Sequence, residues 1–216
     1  YHMPPLYEVP ILYILSIALL YILYWTRKRI RILERLRKLN ANEKRTRKYV
    51  LNFSLKAGNP FRTILFPFVI MFILNGFYPI LGEPVLDMKW AIVIFPIMIV
   101  IQPLVEELII RSILFGSFVT KAGEYKRKSR MKYLAIFLGG FLIQNVIFML
   151  LHFRLNLPTF ISGMLYSAFY LYGFDRRTGE RNILPAWAAH SSHNLLVWLG
   201  QIGLATTGWG WILFLN

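Results

Sequence analysis

Residues 97–115 read Ile-Met-Ile-Val-Ile-Gln-Pro-Leu-Val-Glu-Glu-Leu-Ile-Ile-Arg-Ser-Ile-Leu-Phe. It is an apolar run of helix length that carries three ionisable side chains, Glu106, Glu107 and Arg111. Charged groups are costly in the hydrocarbon of a membrane, and those found inside a membrane segment mark a functional site by default. We therefore predict a membrane-buried helix that carries part of a polar site.

The composition of the whole chain is that of a membrane protein rather than of an ordinary soluble domain. Of the 216 residues 56% are hydrophobic, and the mean hydropathy is +0.50. The absence of cysteine excludes disulfides, zinc thiolates and a cysteine nucleophile. We read Tyr1-His2-Met3 as an expression remnant. The first apolar run lacks the charged start and cleavage site of a signal peptide, so we expect a retained anchor.

Apolar segments alternate with polar connections along the chain, and several approach the ~20 residues that a helix needs to cross a bilayer. Lysine and arginine are concentrated in every second connection, which places these connections in the cytoplasm and the N-terminus outside. We predict an all-α polytopic membrane bundle that forms one domain over residues 1–216. The apolar segments lie at roughly 10–25, 61–81, 90–118, 133–153, 157–174, 183–200 and 202–215, the last two as a re-entrant or tilted pair. The basic connections are 26–62 with 13 Lys and Arg, 119–132 with 6 and 175–182 with 3, whereas 82–89 and 153–157 carry only Lys89 and Arg154.

The formal net charge of +15 raises the question of a nucleic-acid partner. The charge is spread over several loops and is not gathered in one groove, so we predict no nucleic-acid binding. Within the basic region 26–60, apolar residues recur at roughly helical spacing. This pattern suits either a helix that lies on anionic headgroups or a solvated juxtamembrane linker. These apolar residues are Ile30, Leu33, Leu36 and Leu39.

Helix geometry divides the work among the charged groups of the first motif. Glu107 and Arg111 lie four residues apart on one face, in the favourable order for an ion pair. Glu106 is turned about 100° away from Glu107, which leaves it to face a cavity, where a carboxylate can act as a general base. A purely structural charge cluster explains Glu107 and Arg111 equally well, but it does not explain the second carboxylate.

Two further motifs place histidines in apolar segments. In Phe148-x-x-x-His152 the phenylalanine lies one turn before the histidine and can pack against the imidazole. In His190-x-x-x-Asn194 two N–H donors share one helix face. Two converging donors are what the oxyanion of a tetrahedral intermediate requires. Ordinary core packing is the competing interpretation for each histidine taken alone.

Other chemistries also fit some of these residues. His193 follows His190 by three residues, and the two histidines with a glutamate would make a zinc site. Ser191 and Ser192 adjoin the histidines, but no G-x-S-x-G elbow is present, which argues against a serine protease. A channel or transporter is a further alternative, because charged groups inside a membrane also line ion paths.

The ordered set of Glu-Glu-x-x-x-Arg, Phe-x-x-x-His and His-x-x-x-Asn on successive apolar segments resembles the CAAX prenyl endopeptidases and their prokaryotic relatives. This is the CPBP or Abi family of CAAX-processing and bacteriocin-processing or immunity proteins, and the resemblance spans roughly residues 90–200. It implies a bundle of about seven or eight helices around a cavity open to the cytosol. It also implies glutamate-dependent intramembrane proteolysis without a metal or other cofactor.

The resemblance further implies a role for each motif residue. Glu106 with His152 would activate the hydrolytic water, His190 with Asn194 would stabilise the oxyanion, and Glu107, Arg111 and Phe148 would support the site. The expected partners are the lipid bilayer, a peptide or lipidated protein substrate of the CAAX type and a partner membrane protein, in a prokaryotic cell membrane. The alternatives are a non-proteolytic scaffold or immunity protein and a zinc-dependent membrane protease.

Overall fold

The computed structural model of the chain describes residues 8–56, 58–76, 92–93, 95–152, 157–175 and 180–201. Within these ranges the protein is mostly helical, which agrees with the predicted all-α class. Several predictions fall outside the described residues: those for Tyr1-His2-Met3, the connection 82–89 with Lys89, Arg154, and the C-terminal segment 202–215.

Seven helical stretches and one pair of short strands make up the described part of the chain. The helices are α1 (Glu8–Arg35), α2 (Ala41–Tyr49), α3 (61–76), α4 (97–123), α5 (Arg130–Leu151), α6 (Leu157–Tyr172) and α7 (Leu184–Gln201). The strands β1 (Phe53–Ser54) and β2 (Arg181–Asn182) pair in parallel, with Phe53 opposite Arg181.

The backbone of α4 changes geometry at the polar motif. Its four consecutive pieces are a π-helix (Ile97–Ile101), an α-helix (Gln102–Glu106), a second π-helix (Glu107–Phe115) and an α-helix (Gly116–Gly123). Insertions of π-helix into α-helices are rare and occur frequently at functional sites. The change from α-helix to π-helix between Glu106 and Glu107 is therefore consistent with a functional site at these two carboxylates.

Pro103 interrupts the backbone hydrogen bonds of α4, and a side chain of α7 supplies the missing donor. Proline has no N–H, so it cannot donate to the carbonyl of Met98, five residues earlier in the π-helical register. The Asn194 side chain of α7 donates from Nδ2 to that carbonyl at 2.8 Å. Trp187 donates from Nε1 to the carbonyl of Val100 at 2.9 Å. These two bonds from α7 hold it against the start of α4.

The exposure pattern of α5 is the reverse of that of a helix in a water-soluble protein. Its exposed stripe is apolar, with Leu134, Leu138, Leu142, Val146 and Leu150 at every fourth position. Its buried residues are Gly140, Gln144, Asn145 and Phe148, two of which are amides. An apolar exterior over a polar interior is the pattern expected of a helix that faces lipid.

Among the described residues α5 is the one helix that is long and apolar enough to cross a membrane. It has 22 residues, and its mean hydropathy is 2.3 in a window of which only 22% is buried. The further spans predicted from the sequence stay a prediction.

The basic region folds back onto the protein. α1 continues without a break from its apolar part to Arg35, and Arg37 adopts a positive φ of 54° in the turn that follows. Ile30 is buried in a cluster that contains Phe53, Leu108 and Ile183. This apolar position thus contacts the protein core rather than headgroups or solvent.

Ion pairs hold α2 in place beside α1 and the end of α4. Arg47 pairs with Glu34 of α1, and Lys48 pairs with Glu124, which follows α4. The hydrogen bonds from Lys121, Lys48 and Tyr49 lower the pKa of Glu124 from its ordinary value to about 2. Glu124 is therefore charged over the whole physiological pH range, so its ion pair with Lys48 persists and keeps α2 beside the end of α4.

The packing of α5 on α4 determines where Glu106 and His152 lie along the two helix axes. Gly140 lies directly against the side chain of Phe118 and has no room for a side chain of its own. His152 follows Gly140 by twelve residues, which is ~18 Å along an α-helix, and Glu106 precedes Phe118 by the same number of residues. This antiparallel register brings Glu106 and His152 to the same level.

Candidate active site

Three groups from three helices meet at one point in the bundle. Glu106 comes from α4, His152 caps the C-terminus of α5, and His190 lies two turns into α7. Oε2 of Glu106 is 3.5 Å from Nε2 of His152 and 3.7 Å from Nε2 of His190. The side chains of His152 and Glu106 are 29% and 19% exposed, whereas that of His190 is 2% exposed. The cluster therefore has an accessible side and a buried side.

The carboxylate of Glu106 is held by one oxygen and available at the other. Oε1 accepts a hydrogen bond from Nε2 of Gln102 at 2.8 Å. Oε2 is buried and accepts no hydrogen bond from the described residues. Gln102 lies outside the three motifs, although its spacing of four residues before Glu106 places both side chains on one face. An oriented carboxylate with a free lone pair is suited to remove a proton.

The tautomers of both histidines follow from their second ring nitrogens. Nδ1 of His152 lies 2.8 Å from the carbonyl oxygen of Phe148, which can only accept a hydrogen bond. Nδ1 of His190 lies 2.9 Å from Oε1 of Glu107, an acceptor when ionised. Each Nδ1 thus carries the hydrogen, and each Nε2 that faces Glu106 is the basic atom of the neutral ring.

Glu107 and Arg111 form the buried side of the cluster. Both side chains are 0% exposed, and Nε of Arg111 lies 3.5 Å from Oε2 of Glu107. Arg111 also donates from Nη2 to the carbonyl of Gly163 on α6 at 3.1 Å. Its guanidinium lies 4.5 Å from the ring centre of Phe148. A buried charge needs such partners, because an unpaired one is very costly.

Phe148 contacts both histidines. Its ring centre lies 4.2 Å from that of His152 and 5.8 Å from that of His190. The packing of Phe148 against His152 one turn later is the contact expected from the motif. Tyr166 of α6, which also lies outside the three motifs, stacks on His190 with ring centres 4.6 Å apart. Its position among apolar neighbours gives no signal that separates it from ordinary core.

Two other predicted residues lie differently. The Asn194 side chain lies one turn after His190 on α7, but its amide donates to the carbonyl of Met98 rather than towards Glu106. His193 does not belong to the group with metal-ligand spacing. Within the described residues that group is Glu106, His152 and His190, whose ligand atoms lie within 4.8 Å of one another.

The comparison with known protein families decides what this cluster belongs to. The model of the type II CAAX prenyl endopeptidase Rce1-like family matches residues 88–196, just over half of the chain. The chain belongs to this family. No curated protein and no solved structure matches the chain.

Membership of the Rce1-like family agrees with the resemblance read from the motifs. The matched region runs from before α4 into α7 and includes all three motifs. The family consists of membrane proteins and implies a CAAX-type intramembrane protease, which is a hydrolase. The helical bundle and the apolar exterior of α5 are consistent with this setting.

Proposed function

We propose that this Rce1-like protein is an intramembrane endopeptidase in which Glu106 and His152 activate the hydrolytic water. The observation that carries the proposal is Oε2 of Glu106, which accepts no hydrogen bond from the described residues and faces Nε2 of His152 at 3.5 Å and Nε2 of His190 at 3.7 Å. Both distances exceed those of direct hydrogen bonds. The three groups therefore converge without direct hydrogen bonds between them.

The chemical step is the addition of water to a peptide carbonyl. Oε2 of Glu106 accepts a proton from the water, and the water oxygen forms a bond to the carbonyl carbon. The π electrons of the carbonyl move onto the carbonyl oxygen, which becomes the oxyanion. Nε2 of His152, the basic atom of the neutral ring, orients the same water. The tetrahedral intermediate collapses when the proton held by Glu106 passes to the amide nitrogen and the C–N bond breaks.

The oxyanion needs donors on the opposite side of the substrate carbonyl. His190 is one such donor: its Nε2 donates to the oxyanion when the ring carries a second proton, and the positive charge then lies between the carboxylates of Glu106 and Glu107. Asn194 uses one amide hydrogen for the carbonyl of Met98. In this proposal the second amide hydrogen of Asn194 donates to the oxyanion.

The proposed substrates are peptide bonds of membrane-associated proteins, with a prenylated C-terminal CAAX tail as the type to test first. The proposed setting is a prokaryotic cell membrane crossed by several helices of the protein, and the apolar exterior of α5 supports the membrane setting. The basic connections 26–62, 119–132 and 175–182 would then lie on the cytoplasmic side. In this proposal the lipid tail stays in the lipid phase and the peptide enters the cluster at its accessible side, where His152 and Glu106 are partly exposed.

The direct test is cleavage of a fluorogenic farnesylated CAAX peptide by the purified full chain in detergent. We expect cleavage by the wild type, and none detectable with Glu106→Gln at an unchanged melting temperature. Glu124→Gln is the matched control, since it makes the same substitution outside the cluster and should cleave normally. Normal cleavage by Glu106→Gln would rule out the proposal, and a biological phenotype that survives this substitution would favour a scaffold or immunity role.

A zinc-dependent protease is the second candidate, and one observation favours it. The distances of 3.5 and 3.7 Å from Glu106 to the two histidines are close to the ~3.4 Å that separates tetrahedral ligands at zinc–ligand bonds of ~2.1 Å. Glu106, His152 and His190 would be the three protein ligands. A chelator arm in the same assay separates the two candidates, because the metal-free mechanism predicts full activity in 1,10-phenanthroline.

A further inference from the structure

Tyr166 is a buried aromatic residue that contacts the cluster through the flat face of its ring. It is 0% exposed and projects from α6. Its ring centre lies 4.6 Å from that of His190 with an angle of 14° between the ring planes. Phe148 meets the Tyr166 ring edge-on at 5.8 Å. The imidazole of His190 is therefore covered on one face by a fully buried aromatic ring.

The stack supplies a constraint that the hydrogen bond of His190 does not. The Cβ–Cγ bond and the hydrogen bond from Nδ1 to Glu107 together define the ring plane, but a hydrogen bond tolerates about 30° of deviation from linearity, so the ring can still tilt. A nearly parallel neighbour at van der Waals distance removes this freedom, because any turn brings the two rings into collision. With Nδ1 and the plane both fixed, Nε2 can point only towards Glu106.

The position of Tyr166 is itself fixed by the buried polar groups. Gly163, one turn earlier on α6, accepts the hydrogen bond from Arg111, and a side chain at Gly163 would collide with Asn145. The next residue after Tyr166, Ser167, accepts a hydrogen bond from Gln144 of α5 at 2.6 Å. Contacts thus run in a closed circuit from Arg111 to α6, through Tyr166 to His190, and back through Glu107 to Arg111.

We infer that Tyr166 is a positioning residue for His190, which aims Nε2 at the reacting centre through the aromatic ring and not through the hydroxyl. The inference rests on the proposed peptidase function, because it assigns the purpose of the stack to that reaction. Tyr166 does not touch the substrate in this arrangement. It acts only through the imidazole that it covers.

Three variants separate this role from ordinary packing. Tyr166→Phe keeps the ring and should retain at least half of the wild-type kcat. Tyr166→Leu removes the ring and should lower kcat roughly 10- to 100-fold, the scale expected for a misplaced catalytic group, with KM within about twofold. Tyr170→Leu is the matched control, since Tyr170 is also 0% exposed on α6 but packs on Phe115. It should melt lower, like Tyr166→Leu, yet keep its kcat.

Two results would overturn the inference: equal loss of kcat in Tyr166→Leu and Tyr170→Leu, or wild-type kcat in Tyr166→Leu. If Tyr166→Leu does not fold, Tyr166→Met provides a flexible side chain without an aromatic face.

A spectroscopic arm distinguishes failure of the inference from failure of the proposed function. In protein with ¹³C- and ¹⁵N-labelled histidine, the ring protons of His190 should show a ring-current displacement in wild type and Tyr166→Phe that disappears in Tyr166→Leu. This measurement needs no cleavage activity. An unchanged His190 spectrum in Tyr166→Leu would refute the stack, whereas loss of the displacement without any wild-type cleavage would refute only the peptidase proposal.

Discussion

Glu106 and Glu107 are neighbours in sequence, yet their carboxylates lie in opposite surroundings. Glu107 is 0% exposed and is held by Arg111 at 3.5 Å and by His190 at 2.9 Å. Glu106 is 19% exposed, and its Oε2 has no hydrogen-bond partner among the described residues. One side of the cluster is closed and paired with a permanent cation, and the other is partly exposed and faces two imidazoles.

This difference teaches how a membrane protein can keep a reactive group without losing its structure. The paired side joins α4, α6 and α7 through Arg111, Gly163 and His190. That frame holds His190 still while Glu106 remains free for chemistry. We therefore expect substitutions on the paired side to lower stability first, and substitutions on the open side to lower turnover alone.

The largest effect should come from Arg111→Met on the paired side. It leaves the carboxylate of Glu107 buried without its cation, and breaking a buried pair in this way costs about 3–5 kcal/mol. For a chain of this size the melting temperature should fall by roughly 10 °C or more, as followed by tryptophan fluorescence in detergent. Turnover at a temperature where the variant is folded should also fall, because Glu107 orients His190.

The double variant Glu107→Gln/Arg111→Met is the control for that experiment. It removes both charges, so no unpaired ion remains, and it should recover at least half of the lost melting temperature. It should not recover turnover. A single Arg111→Met variant that melts with the wild type would show that the paired side is not the structural frame.

The next effect concerns His152 on the open side. His152→Gln keeps a polar side chain but removes the basic Nε2 that faces Glu106. We expect kcat to fall about 100-fold, within the range for loss of acid–base assistance, with a melting temperature within about 2 °C of wild type. Initial rates of cleavage over a range of concentrations of the farnesylated peptide give kcat and KM separately. A fall in melting temperature as large as that of Arg111→Met would place His152 in the frame instead.

The contacts that helix spacing determines could be predicted from the sequence. Glu107 and Arg111 lie four residues apart on one face, and Phe148 precedes His152 by one turn, so both contacts follow from local geometry. The approach of Glu106 to His152 depends on the register of α4 and α5, which Gly140 and Phe118 set. No spacing along the chain encodes that register, and only the family resemblance implied it.

Other contacts were missed because they join distant parts of the chain. The bond between His190 and Glu107 spans 83 residues, and the stack of Tyr166 on His190 has no sequence pattern of its own. The bond from Asn194 to Met98 left a trace, since Pro103 lacks the N–H that would otherwise serve that carbonyl. A proline in an apolar helix is thus a reason to search for a polar side chain on a neighbouring helix.

The smallest predicted effect concerns Asn194, which has two proposed roles. One is to bond the carbonyl of Met98, and the other is to donate to the oxyanion. Asn194→Ala leaves the carbonyl of Met98 unbonded, at a cost of about 1–3 kcal/mol, and removes the proposed oxyanion donor. Adding Pro103→Ala supplies a backbone N–H for Met98 and should restore the melting temperature. Turnover should stay about tenfold low in the double variant. Recovery of turnover together with stability would make Asn194 purely structural.

The most direct test of the account compares Glu106→Gln with Glu107→Gln, the same substitution at adjacent positions. Both variants should be purified in parallel and measured for kcat on the farnesylated peptide and for melting temperature. We predict that Glu106→Gln abolishes cleavage at the wild-type melting temperature, and that Glu107→Gln lowers the melting temperature and retains residual cleavage. Cleavage by Glu106→Gln at the wild-type rate, or a loss of stability confined to Glu106→Gln, would contradict the account.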